Sequence, residues 1–255
     1  MRVLTLLIAG CLLLFGCGGN DPAATAPTPP LGTSDGDPVH LLYISDSSGW
    51  KTGEAYAAVA QEELGVPVDL IDWRRGGLSM VDVPTMLRRL PRVVADAEII
   101  VLWANPTGSG VNEAVQSCVG EPGEPGVYTE ADWQPFADLS GQVLDAIWEA
   151  REGKPTVLRV TDIYSPVVAS EWKDRGIGEA CMTAWETMSA ALRTTAEAHG
   201  ATFVSALDVY NGPDHRQDPV AAGLIDADGT HPGEAGGQAM AKALAATGFV
   251  PTPAP

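Results

Sequence analysis

Positive charge is scarce in this chain of 255 residues: 15 Lys and Arg stand against 33 Asp and Glu, a formal net charge of −18. Binding to nucleic acid needs a basic footprint, so this balance excludes that class. It also disfavours broad adsorption to anionic membranes and reads as a solvated surface. Cysteine and histidine are rare, with 4 of each. There is no C-x-x-C and no His pair near a cysteine, so no metal-ligand cluster is visible and no metal or cofactor is expected. What is plentiful is apolar residue, 45% of the chain, enough for a substantial core. The length suits one α/β domain with accessory segments.

The N-terminus "MRVLTLLIAGCLLLFGC" carries one Arg, then an apolar stretch, then Gly16 and Cys17. It is short for a spanning helix and reads as a targeting segment. It resembles a bacterial lipoprotein signal, which implies lipidation of Cys17 as the new N-terminus. "LLFGC" fits that pattern loosely, because Phe15 is large for its place; "LIAGC", ending at Cys11, fits it better but leaves a very short apolar region, and an ordinary secretory signal is the other reading. The next stretch, rich in Gly, Pro, Ala and Thr, has little to bury and reads as a disordered tether. The expected organisation is a signal at 1–16, lipidated Cys and tether at 17–37, one domain at 38–250 and a disordered tail at 251–255. Export would leave Cys118 and Cys181 in an oxidising place, where a disulfide between them is expected; two buried free thiols are the alternative.

Along the domain, strand and helix patterns alternate. "VHLLYI" (39–44) has the near-continuous apolar run of a buried parallel strand. A helix (53–65), a strand (67–73), a helix broken near Pro91 and the apolar strand "EIIVLWA" (98–104) follow. A long loop (106–131), a helix (132–152), a strand (155–162), a helix (177–199), a strand (202–209) and a last helix (233–247) complete the expectation. Five such strands imply a three-layer αβα sandwich around a parallel sheet, for which the flavodoxin-like order 2-1-3-4-5 is the expected arrangement.

In that order the strand ends "SDSSG", "WRRGG" and "WANP" converge with "DADGTHPGEAGG" on one crevice. In "DGTHP", Asp228 and His231 are three apart, with Gly229 allowing a tight turn. The carboxylate can then meet Nδ1 and leave Nε2 as a base. An Asp capping a helix beside a surface His would look the same. His215, in a loop with acidic neighbours, is a rival base; His40 and His199 are poorer ones. Ser48 and Lys51 form an S-x-x-K run into "KTG", as in penicillin-binding enzymes, but one lysine cannot serve both motifs. Asp46 reads as a turn or cap residue. Trp50, Trp73 and Trp103 lie near strand ends, as pocket lining or as core.

Taken together, these segments resemble the SGNH (GDSL-type) hydrolase family over most of residues 39–247. "SDS" matches the first block with Ser47 in the nucleophile's place. "WRRGGLS" offers Gly77 for the second, with Gly76 beside it. "WANP" keeps Asn105 of the third, and Asp228 and His231 match the last. "DVYNGPD" and "IYSP" look similar to stretches of actinobacterial members. The chain departs from the blocks at Ser45, Trp103 and Pro106. The resemblance implies a serine esterase: Ser47 attacks an ester carbonyl, His231 moves the proton and Asp228 orients His231. The N–H groups of Ser47 and Gly77 and the Asn105 amide would hold the oxyanion. The expected substrate is an acyl ester of a small molecule, lipid or glycan. The protein is expected to be a monomer, lipid-anchored outside the cytoplasm or secreted. A non-catalytic lipoprotein that binds an acylated ligand in the same crevice is the alternative.

Overall fold

The computed structural model describes residue 31 and residues 37–108, 129–166 and 178–255. Cys11, Cys17 and Cys118, and nearly all of the expected signal, tether and long loop, lie outside the described residues. The strands are β1 (Val39–Ser45), β2 (Val68–Arg74), β3 (Ile99–Trp103), β4 (Val157–Thr161) and β5 (Thr202–Phe203). All pair in parallel, in the order β2-β1-β3-β4-β5, as expected. The helices are α1 (Thr52–Leu64), α2 (Val83–Arg89), α3 (Pro91–Asp96), α4 (Glu130–Arg151), α5 (Gly178–Ala198), α6 (Ala206–Asn211) and α7 (Glu234–Ala245).

The continuous apolar strands work because alternate residues enter two different cores. Leu42, Ile44, Ile100, Leu102, Leu158 and Val160 pack with α2 to α5. Leu41, Tyr43, Ile99, Val101, Trp103 and Val157 face α1 and α7. Pro91 opens α3 at its first position and Leu90 leaves helical geometry (φ −133°, ψ 51°), which separates α2 from α3.

Two expectations need correction. The fifth strand is two residues, not eight, and residues 206–211 are helical. Asp162, at the end of β4, accepts hydrogen bonds from the N–H groups of Ala206 (2.6 Å) and Leu207 (3.2 Å). Ser205 caps the same turn through Asp208 N–H, so buried caps overrule the β-rich pattern of "TFVSALDV". The tail at 251–255 is tied down rather than disordered: Thr252 exchanges backbone hydrogen bonds with Thr156 (3.0 and 3.1 Å), and Ala254 packs on the core. Of the two readings of Trp103, core holds: it is 2% exposed on the α1 and α7 side of the sheet. Trp73 is partly buried against the opposite core.

Candidate active site

The chain leaves β1 into a single 3-10 turn, Ser47–Gly49, capped by Asp46. Asp46 Oδ1 accepts from Ser48 N–H at 2.9 Å and from the Ser48 hydroxyl. Ser48 is thereby engaged as a donor, and Lys51 Nζ pairs with Glu234 at 2.8 Å, so the S-x-x-K run is not a working pair. Ser45 is fully buried with its hydroxyl donating to the Asp46 carbonyl (3.0 Å). Gly49 makes that possible. A Cβ there would lie 2.6 Å from Ser45 Oγ and 2.6 Å from Tyr43 Oη.

Backbone hydrogen bonds lace the neighbouring strand ends to this turn. Arg75 N–H donates to the Ser45 carbonyl (3.1 Å), and Met80 N–H to the Asn105 carbonyl (2.9 Å). Gly77 lies between them in a left-handed conformation (φ 70°), exposed, with open space where a side chain would begin. The Asn105 side chain is fixed at both ends. Its Oδ1 accepts from Thr107 N–H at 2.9 Å, and its Nδ2 donates to Asp46 Oδ2 at 2.5 Å. An amide carries two hydrogens, so one remains for a ligand.

The fourth segment comes from the turn before α7. Gly229 adopts φ 74°, and Asp228 Oδ1 accepts from the N–H groups of Thr230 (2.8 Å) and His231 (2.9 Å). Asp228 Oδ2 lies 2.7 Å from His231 Nδ1. The His231 backbone and side-chain hydrogen bonds, with that from Thr230, lower the Asp228 pKa to about 2. The carboxylate therefore stays ionised at neutral pH, holds Nδ1 as the donor and leaves Nε2 as the ring's acceptor.

Trp50 connects the two halves. Its N–H donates to the Ser47 carbonyl (3.2 Å), and its ring stacks on His231 with centroids 4.4 Å apart and planes 16° apart. Ser47 Oγ makes no hydrogen bond to any described residue, His231 included. Neither this stack nor a role for Tyr164 in "IYSP" is evident from the sequence alone. The Tyr164 hydroxyl donates to the Thr230 carbonyl (2.6 Å) and so steadies the histidine turn. Asn211 in turn grips Ser165 through both backbone groups, at 2.9 Å each. The location of "IYSP" after β4, at the same sheet edge, was the available signal.

The other histidines are committed elsewhere. Both ring nitrogens of His215 face carboxylates, Glu186 at 3.1 Å and Asp208 at 2.8 Å. Partial burial opposes its charge, but these two partners outweigh it and raise its pKa, which suits an ion pair and not a base. His199 Nδ1 meets Asp145 at 2.7 Å, and His40 pairs with Glu98. Among the described residues no cluster could hold a metal ion, and no helix is long and apolar enough to cross a membrane.

No family model matches the sequence, and no curated protein does. The fold is nevertheless shared with solved structures. A lipase from a goat rumen metagenome superposes with a TM-score of 0.62 at 17% identity, covering 83% of this chain and 98% of that one. An acetyl xylan esterase gives 0.53 at 16%, covering 82% and 100%. An acetyl-xylooligosaccharide esterase from Geobacillus gives 0.54 at 11%, covering 82% and 93%. Identities this low establish a common architecture and no more.

Proposed function

We propose that the chain is a serine esterase of the SGNH type. The observation that carries this reading is the ordered pair Asp228–His231, its imidazole stacked on the residue whose N–H binds the Ser47 carbonyl. The esterase and lipase activities named for proteins of the same fold support it.

In the proposed reaction Ser47 Oγ attacks the ester carbonyl carbon while His231 Nε2 takes its proton. The carbonyl oxygen becomes an oxyanion facing the N–H groups of Ser47 and Gly77 and the second hydrogen of the Asn105 amide. Collapse breaks the C–O bond to the alcohol, which leaves with the proton from His231. A water then repeats the sequence on the acyl-serine, giving the acid and restoring the hydroxyl.

The deciding experiment is labelling by a fluorophosphonate probe beside hydrolysis of short p-nitrophenyl esters, for the wild type and Ser47→Ala. Labelling and turnover that both vanish in Ser47→Ala are expected. Turnover surviving in the variant overturns the assignment of Ser47. Absence of labelling in the wild type assigns the crevice to ligand binding without chemistry. We further propose extracytoplasmic attachment through Cys17, whose replacement by Ser should release the protein from membranes. A Cys118–Cys181 disulfide should appear as a cross-linked peptide in a non-reducing digest.

A further inference from the structure

Asp228 holds the His231 imidazole at one atom, Nδ1. One hydrogen bond fixes a direction, but it does not fix the plane of the ring. The indole of Trp50 lies on the face of that ring, with centroids 4.4 Å apart and planes 16° apart. Trp50 is 42% exposed, so little packs on its outer face and its backbone decides where the ring lies. That backbone is held from both sides. Trp50 N–H donates to the Ser47 carbonyl (3.2 Å). The next residue, Lys51, is left-handed (φ 65°), a conformation that a residue with a side chain keeps only where its surroundings impose it. Helix α7 supplies those surroundings. A Cβ on Gly237 would lie 2.7 Å from the Lys51 carbonyl carbon, and Lys51 Nζ pairs with Glu234 at 2.8 Å. The helix that follows the His231 turn thus also braces the residue next to Trp50, and the stack is built from both ends.

We propose that Trp50 is a positioning residue of the esterase: its indole fixes the plane of the His231 imidazole and stabilises the imidazolium that forms when Nε2 takes the Ser47 proton. The inference rests on the esterase reading above. The face of an indole is the negative end of its quadrupole, so it attracts a stacked ring more strongly once that ring is cationic. The neutral imidazole of the resting site gains less from the same contact. An interaction that strengthens as the proton moves lowers the barrier to the chemical step and leaves substrate binding alone. The indole also covers one face of the imidazole against water, which would otherwise screen the charge. A leucine at this position would fill part of the space and offer no π-face, whereas a phenylalanine would keep a smaller one.

The test compares Trp50→Leu and Trp50→Phe with the wild type, each checked for folding by thermal melting. In hydrolysis of p-nitrophenyl acetate, Trp50→Leu is expected to lower kcat about tenfold with KM nearly unchanged. Trp50→Phe should recover a large part of that loss. An unaltered kcat in Trp50→Leu, a loss confined to KM, or a Phe variant as slow as the Leu variant overturns the role. A second readout needs no turnover. In proton NMR the Cε1–H of a stacked His231 resonates upfield through the ring current of the indole. That displacement should vanish in Trp50→Leu and survive in part in Trp50→Phe. Should the wild type cleave no ester, the esterase reading fails by itself and the NMR decides the stack. A signal that follows the aromatic ring upholds the fixed plane, and a signal that all three proteins share overturns it.

Discussion

The Asn105 amide donates to the Asp46 carboxylate at 2.5 Å, across 59 residues of sequence. The residue that caps the turn carrying Ser47 thus also aims the amide proposed to hold the oxyanion. Asn105→Ala is expected to lower kcat about 10²–10³-fold, the usual loss of one oxyanion donor, with little change in folding. Asp46→Ala removes both the cap and the anchor. It should cost about 1 kcal/mol of stability in denaturant titration and lower kcat as well. An Asp46→Ala enzyme with unaltered kcat would show that Asn105 needs no such support.

Asp228→Asn presents an N–H where Nδ1 requires an acceptor, and so reverses the imidazole's protonation pattern. A fall in kcat on the order of 10⁴ is expected, as for the same change in other triads. Because the native Asp228 pKa is lowered to about 2, its carboxylate is charged throughout the range above pH 4. Any loss of wild-type activity between pH 7 and pH 4 must therefore come from another group. Asp228→Asn should leave kcat low across that whole range instead of shifting the midpoint.

Gly49→Ala puts a methyl group 2.6 Å from two oxygens, those of Ser45 and Tyr43. Overpacking of this kind costs about 1–3 kcal/mol. The turn carrying Ser47 must shift, so activity should fall together with the melting temperature. Adding Ser45→Gly removes one of the two clashes and should recover part of both losses. A Gly49→Ala protein as stable and active as the wild type would refute this packing.

Asp162 is wholly buried. Burial raises its pKa to about 6, although hydrogen bonds from Ser189, Leu207, Ala206 and Ser205 work against the rise. In the unfolded chain an Asp titrates near ~3.9, so the native state binds this proton more tightly. Its contribution to stability is complete below about pH 4 and is lost as the pH rises through about 6. Asp162→Asn keeps a neutral acceptor for the α6 N–H groups and removes the titration. Relative to the wild type, the variant should gain about 2 kcal/mol between pH 4.5 and 7.5 in urea unfolding. Parallel stability profiles would rule this account out.

The sheet is legible because β1 and β3 are dominated by apolar residues, a pattern with few solutions other than a covered parallel sheet. The Asp228–His231 pair was legible because its geometry is local, three residues around a glycine. What escaped the sequence depends on partners far along the chain. β5 ends early because Asp162, more than 40 residues away, holds the N–H groups of Ala206 and Leu207. Trp50 could be placed near a strand end but not onto His231, 181 residues later. The compositional echo of the tether in "PTPAP" concealed a backbone pairing between Thr252 and Thr156.

The close approach of α1 and α7 leaves Gly237 with no room for a side chain, since a Cβ would come within 2.5 Å of Lys51 Cβ. That contact seats the segment bearing residue 231 beside the segment bearing residue 47. During synthesis the serine turn emerges well before the histidine turn and α7. A nascent chain therefore carries the Ser47 hydroxyl before the His231 imidazole exists. Docking of α7 against α1 is the event that brings the two segments together.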